Sequence, residues 1–177
     1  MTRWLRPSAI GLLCTLAAGV ERPSAAVQTP AAAPASCTAS QYRQFDFWIG
    51  DWDVFDSTSA APVAHVVVDR ILDGCALRED YQGANGTRGQ SFSTYDASRR
   101  VWHQSWVTNH GQLLVIEGAL DGREMVLAGD DWASGPLGRV RGVWTPVDDS
   151  VREVAVTSTD GGKTWRPWFD LLFKRRK

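Results

Sequence analysis

Glu79, Tyr95, Gln104, Arg139 and Arg141 are polar side chains set among aromatic residues in short alternating segments, so the search for chemistry starts with them. A carboxyl such as Glu79, enclosed by apolar side chains and backed by Tyr95 or Arg141, is equipment for acid–base work on a bound ligand. The same groups, few and convergent, also suit a binding cavity in which they orient a ligand between apolar walls. Within Val101 to Val107, Trp102, Gln104 and Trp106 alternate onto one face. With Glu79 and Arg141 from neighbouring segments, and Tyr95 counted among them, they form the predicted lining. A plainer reading stands beside it, in which the tryptophans fill a core and Glu79 pairs with an arginine.

Other chemistries find less support. His65, His103 and His110 have no partners at metal-ligand spacing, and each reads as a surface or satisfied histidine; only His103, inside an aromatic segment, could hold a haem or metal alone. Gly89-Gln90-Ser91-Phe92-Ser93 lacks the last glycine and the following helix of a nucleophile elbow. No phosphate-binding glycine loop, His-Glu-x-x-His or Cys-x-x-Cys occurs. The pairs Asp51/Asp53, Asp130/Asp131 and Asp148/Asp149 read as an outward strand face and solvated turns, with a loop calcium site as the alternative. No cofactor is expected.

Such residues need a scaffold, and the sequence describes one made of strands. Ten segments show period-2 or continuous apolar character: Asp51 to Phe55, Val63 to Leu72, Ala76 to Gln82, Gln90 to Tyr95, Val101 to Val107, Gln112 to Ala119, Glu124 to Ala128, Val140 to Thr145, Val151 to Ser158 and Trp165 to Lys174. Asp73-Gly74, Asn85-Gly86, Asn109-His110-Gly111 and Asp121-Gly122 between them supply hairpin turn chemistry. Nothing after Trp48 keeps a helical period, which disfavours crossover helices and a parallel sheet. The predicted fold is all-β, an antiparallel up-and-down barrel of about ten strands with a short N-terminal helical or extended cap around residues 39–48. Alternation in the last segment puts Trp165, Phe169, Leu171 and Phe173 on one face and Trp168 on the other.

Residues 1–26 read as an export signal: Arg3 and Arg6 precede the apolar run Ala9 to Val20, and Ser24-Ala25-Ala26 offers a cleavage site. The run is about a dozen residues, short of the roughly 20 that span a bilayer, so no stable membrane anchor is expected. Residues 27–44 read as a low-complexity linker, and 45–177 as one barrel domain. Loss of Arg3, Arg6, Arg22 and Glu21 takes the formal charge from −1 to −3, which gives nucleic acid no clustered basic face. Cys37 and Cys75 then remain. A secreted or periplasmic location would let them form a disulfide, and two free thiols are the alternative.

Two resemblances follow from these motifs. Gly50-x-Trp52 opening the first of about ten short strands, with Lys174 or Arg175 ending the last, resembles the calycin superfamily of lipocalins and fatty-acid-binding proteins. It implies that Trp52 plugs the closed end of a barrel beneath a cation from the last strand. Phe-Asp-Phe-Trp-x-Gly-x-Trp-x-Val at 45–54, Leu-x-Gly-Cys at 72–75, Tyr-Asp at 95–96, Trp-x-Gln-x-Trp-Val at 102–107 and Asp-Gly-Gly-Lys-Thr-Trp at 160–165 resemble a family of exported bacterial proteins, a domain of unknown function. Residues 158–165 also fit the Asp-box pattern of sialidase-type propellers; with one copy, Asp160, Gly162 and Trp165 read as a structural turn. The expectation is an exported barrel that binds a small apolar or amphipathic ligand. An enzyme built on Glu79 and a structural or interaction module of the cell envelope are the alternatives, and oligomeric state stays open.

Overall fold

The computed structural model describes residues 37–177; the predicted export signal and residues 27–36 of the predicted linker lie outside the described residues. Ten antiparallel strands follow one another around a closed barrel: β1 (Gly50–Asp56), β2 (Ala64–Ile71), β3 (Ala76–Gly83), β4 (Arg88–Asp96), β5 (Val101–Thr108), β6 (Leu113–Asp121), β7 (Glu124–Asp130), β8 (Arg139–Val147), β9 (Ser150–Ser158) and β10 (Arg166–Arg175). Each strand pairs with its neighbours in sequence, and β1 pairs with β10 to complete the ring. The described residues hold no helix beyond short 3-10 turns.

Side-chain alternation separates the two faces of the wall. Val66 and Val68, Leu77, Trp102, Ile116, Leu127, Val140, Trp144 and Phe173 are buried inside. Charged side chains stand outside at mid-strand and pair across neighbours, as in Arg78 with Asp69 and Arg152 with Asp170. A lipid-facing barrel would reverse this order, with an apolar outer band. No helix among the described residues is long and apolar enough to cross a membrane.

One end of the barrel is sealed from within. Residues 37–44, assigned to the linker from their composition, instead fold against this end as part of the cap. Cys37 is disulfide-bonded to Cys75, Ser40–Arg43 forms a 3-10 turn, and Gln44 accepts a hydrogen bond from the Trp102 indole at 3.0 Å. The Arg43 guanidinium donates to the carbonyls of Cys37 and Gly74, and Tyr42 meets Tyr95 edge-on at 5.5 Å. Phe45 then stacks on Trp48 at 5.0 Å and meets Trp102 and Trp144 edge-on. Both Phe45 and Trp48 are essentially fully buried.

Trp52 lies beside this cluster, where its indole N–H donates to the Trp48 carbonyl at 3.0 Å. Of the two basic residues that end β10, Arg175 is the one over the Trp52 ring, 4.5 Å from its centroid, an arrangement worth about 0.5–2 kcal/mol. Lys174 points the other way and sits over Phe55. Gly50 is required here because a Cβ at that position would come within 2.6 Å of the Trp52 ring.

The last strand departs from simple alternation. Trp165 precedes β10, and the register shifts between Pro167 and Phe169. Proline donates nothing to the ladder and is accommodated at such a bulge. The predicted face is therefore wrong at its N-terminal end: Trp168 joins Phe169 on the inner wall, while Trp165 lies outside beneath Arg141, 5.9 Å away. The 158–165 segment is a self-contained turn. One carboxylate oxygen of Asp160 accepts from the backbone of Lys163 and Thr164, the other from the Thr164 hydroxyl, and Gly161 and Gly162 adopt positive φ.

Candidate functional site

The barrel is not packed solid. Above the Trp48 floor lies a cavity of about 320 Å³, which reaches the end opposite the cap, where Thr87, Thr108, Gln112 and Trp168 line it. Its walls are largely aromatic and aliphatic, with Tyr81, Trp106, Leu114, Ile116, Trp144, Phe169, Leu171 and Phe173 among them. Trp106 can lie against the wall because Gly89 on the adjacent strand has no side chain; a Cβ there would fall 2.2 Å from the indole.

Three polar side chains interrupt these walls at mid-depth. Glu79 pairs in register with Val68 on one side and Ser91 on the other, all facing inward. The Ser91 hydroxyl donates to the Glu79 carboxyl at 2.7 Å. Glu153 pairs with Trp144 and Leu171, both inner-wall residues, so its carboxyl enters the cavity from β9. Gln104 enters from β5 and donates its amide N–H to the Ser93 hydroxyl at 3.0 Å.

This setting controls the protonation of both carboxyls. Burial raises Glu79 from the ordinary 4.5 to about 7; the Ser91 hydrogen bond opposes the rise and the Asp80 charge adds to it. Burial raises Glu153 well above the ordinary carboxylate range, and the charge of Glu79 raises it further. The indole N–H of Trp144 is the group that favours ionised Glu153, yet the approach falls outside hydrogen-bond geometry and leaves that buried N–H without a partner. Tyr81 is raised by burial and then by the charges of the same two acids.

The predicted lining is partly reassembled. Glu79, Gln104 and Trp106 come together at the cavity. Trp102 faces inward but is buried at the capped end, against Phe45 and Tyr95, and neither Trp102 nor Tyr95 lines the cavity. Arg141 does not face inward at all: Val140 and Gly142 on either side of it are buried, so strand parity turns Arg141 to the outer surface. Arg139 is outside too, paired with Asp130. The plainer expectation of an arginine partner for Glu79 is also replaced, since the hydroxyl of Ser91 fills that role.

Glu153 is the cavity carboxyl that polar groups set among aromatics do not point to, although its alternation with the buried Val151 and Ala155 places it on the inner face. The histidines lie elsewhere. His103 is on the outer wall between Glu117 and Ser105, and His65 is bonded to Asp51. Among the described residues, no three His, Cys, Asp or Glu side chains are grouped to hold a metal ion.

The pair Glu79 and Glu153 could fix a donor-bearing ligand, or exchange protons with it, in a space largely removed from bulk water. Neither the protein-family models nor the curated proteins compared with this chain match it.

Proposed function

We propose that this barrel is an exported binding protein for a small, largely apolar or amphipathic molecule held in the interior cavity. The observation that carries the reading is the cavity itself. Its volume of about 320 Å³ is at the lower end of the range for small-molecule sites, and its walls are aromatic with a few convergent polar groups. Export is supported by the Cys37–Cys75 disulfide, which fits an oxidising compartment, and by the resemblance of residues 45–54 and 102–107 to exported bacterial proteins. The calycin-like placement of Trp52 beneath Arg175 supports a barrel with one plugged end and one accessible end.

The test follows from Trp48, Trp106, Trp144 and Trp168, whose indoles all border the space and report on its contents. Titration with small aromatic and aliphatic amphiphiles is expected to change tryptophan fluorescence saturably and to raise Tm; a ligand at 100 times its Kd stabilises by about 2.7 kcal/mol. Ala155→Leu, which fills the cavity from β9, is expected to abolish the response while far-UV circular dichroism is unchanged. Undiminished binding to that folded variant would move the site off the interior.

A second reading rests on the same carboxyls. Two carboxyls raised by burial in one cavity are suited to acid–base catalysis, with an ionised member as base and a protonated member as acid. Glu79→Gln leaving turnover of a bound compound intact would exclude it.

A further inference from the structure

Among the described residues the cavity wall carries two carboxyls and no lysine, arginine or histidine. Among the described residues Glu79 accepts one hydrogen bond, from Ser91, and the approach of the Trp144 indole to Glu153 falls outside hydrogen-bond geometry; each carboxyl therefore keeps acceptor capacity toward the interior. Trp144, 2% exposed, adds a buried indole N–H that also lacks a partner. A buried indole N–H without a partner is rare in folded interiors, where buried polar atoms are normally satisfied. Together they mark a place where a ligand's polar end completes the hydrogen bonding.

The chemistry of that end follows from what surrounds it. A carboxylate pair attracts positive charge, and the faces of Trp48, Trp106, Trp144, Trp168, Tyr81 and Phe173 offer the negative potential that holds an organic cation. An anionic ligand would meet like charge and no cationic partner. Resting on the binding reading above, we infer that the cavity selects an organic cation, a protonated primary or secondary amine on an apolar body, whose N–H groups are shared between Glu79 and Glu153.

Proton balance accompanies this binding. In the empty barrel burial favours the protonated form of both carboxyls, and the charge of Glu79 favours it further at Glu153. When the ammonium group docks, one carboxyl releases its proton to solvent, so one positive charge enters as another leaves. Ionised Glu153 also becomes an acceptor for the unpartnered N–H of Trp144. Among the groups facing the pair, only Tyr81 on β3 also titrates; β2 presents Val68, β4 Ser91, β5 Gln104, β8 Trp144 and β10 Leu171. Asp80 adds its charge from the outer side of β3.

The experiment is isothermal titration of the full chain, disulfide intact, with 3-phenylpropylamine, 3-phenylpropan-1-ol and 3-phenylpropanoate at pH 7.5. The amine is expected to bind at least tenfold more tightly than the alcohol, and the anion more weakly than either. Repetition in buffers of different ionisation enthalpy is expected to show about one proton released per amine bound. Amine affinity is expected to fall by up to about tenfold per pH unit between pH 7 and 5.5 as protons compete for the carboxyl. Glu153→Gln and, independently, Glu79→Gln are expected to bring the amine-to-alcohol preference toward one, and either variant that folds by circular dichroism decides the point. Equal binding of amine and alcohol to the unaltered protein, or a preference unchanged in the folded variants, overturns cation selection and leaves the binding reading standing. Binding of none of the three compounds overturns both.

Discussion

Glu79 makes the stability of the barrel depend on pH in a direction that can be worked out, because its carboxyl is protonated up to about 7 when folded and ionises near 4.5 when the chain unfolds. Between those values the unfolded chain has already given up the proton that the folded one retains. The stabilisation is therefore complete below about 4.5 and is lost as pH rises to about 7, a change on the order of 3 kcal/mol for one group. Burial and the charge of Glu79 shift Glu153 in the same direction. Asp96, Asp160 and Glu117 run the other way: their hydrogen-bonded carboxylates are lowered when folded, so their contribution is lost as pH falls below the ordinary carboxylate range. Thermal melts are expected to show Tm falling from pH 5 to pH 8, and Glu79→Gln to flatten that slope and raise Tm at pH 8; an unchanged slope would show that Glu79 is ionised and solvated. Glu79 was legible in the sequence because it alternates with Leu77 and Tyr81 on one face of its strand. Glu153 was missed for lack of aromatic neighbours within its own segment. Arg141 misled because nearness to Trp144 in sequence says nothing of face, and a separation of three residues puts the two on opposite sides of a strand.

Strands that carry the site depend on absences as much as on side chains. β4 brings Gly89 beneath the Trp106 indole, so Gly89→Ala must displace a ring that forms part of the cavity wall. The expected outcome is a loss of about 1–3 kcal/mol in denaturant unfolding, as in other overpacked interiors, with a shifted tryptophan emission spectrum. Emission and stability both at unaltered values would mean that the ring already lies elsewhere. The elements themselves were largely legible: all ten predicted segments overlap the ten strands, and the turn residues fall between them. The bulge in β10 was not, because a one-residue shift leaves no trace in apolar alternation, and it alone decides that Trp168 rather than Trp165 reaches the cavity. The cap was partly legible, with Phe45 to Trp52 standing out as an aromatic block and a short helical or extended cap expected over residues 39–48, although composition also placed residues 40–44 in the linker. Their structure comes from tertiary partners, Gly74, Tyr95 and Trp102, that composition does not reveal.

The described residues form a ring held from inside by an apolar core and, at its capped end, by a covalent tie. The disulfide joins Cys37 to Cys75 across a sequence separation of 38 residues and so anchors the cap to the β2–β3 connection. Replacing both cysteines by serine is expected to cost about 3–4 kcal/mol in unfolding free energy on the chain-entropy account. A loss near zero would show that the aromatic cluster of Phe45 and Trp48 holds the cap unaided. Whole-molecule architecture was the most legible feature, since period-2 segments joined by turn residues leave few alternatives to an up-and-down sheet. The hollow interior was not, because the same tryptophans could have filled it. The seal formed by Phe45, Trp48, Trp52 and Arg175 closes one end of the described barrel, and the cavity reaches the other. On the binding reading proposed above, Trp168, Thr87 and Gln112 at the rim set how long a guest stays, whereas Glu79 and Glu153, deeper, set how strongly it is held. Residence time and affinity thus become properties of different residues, which evolution or design can adjust separately.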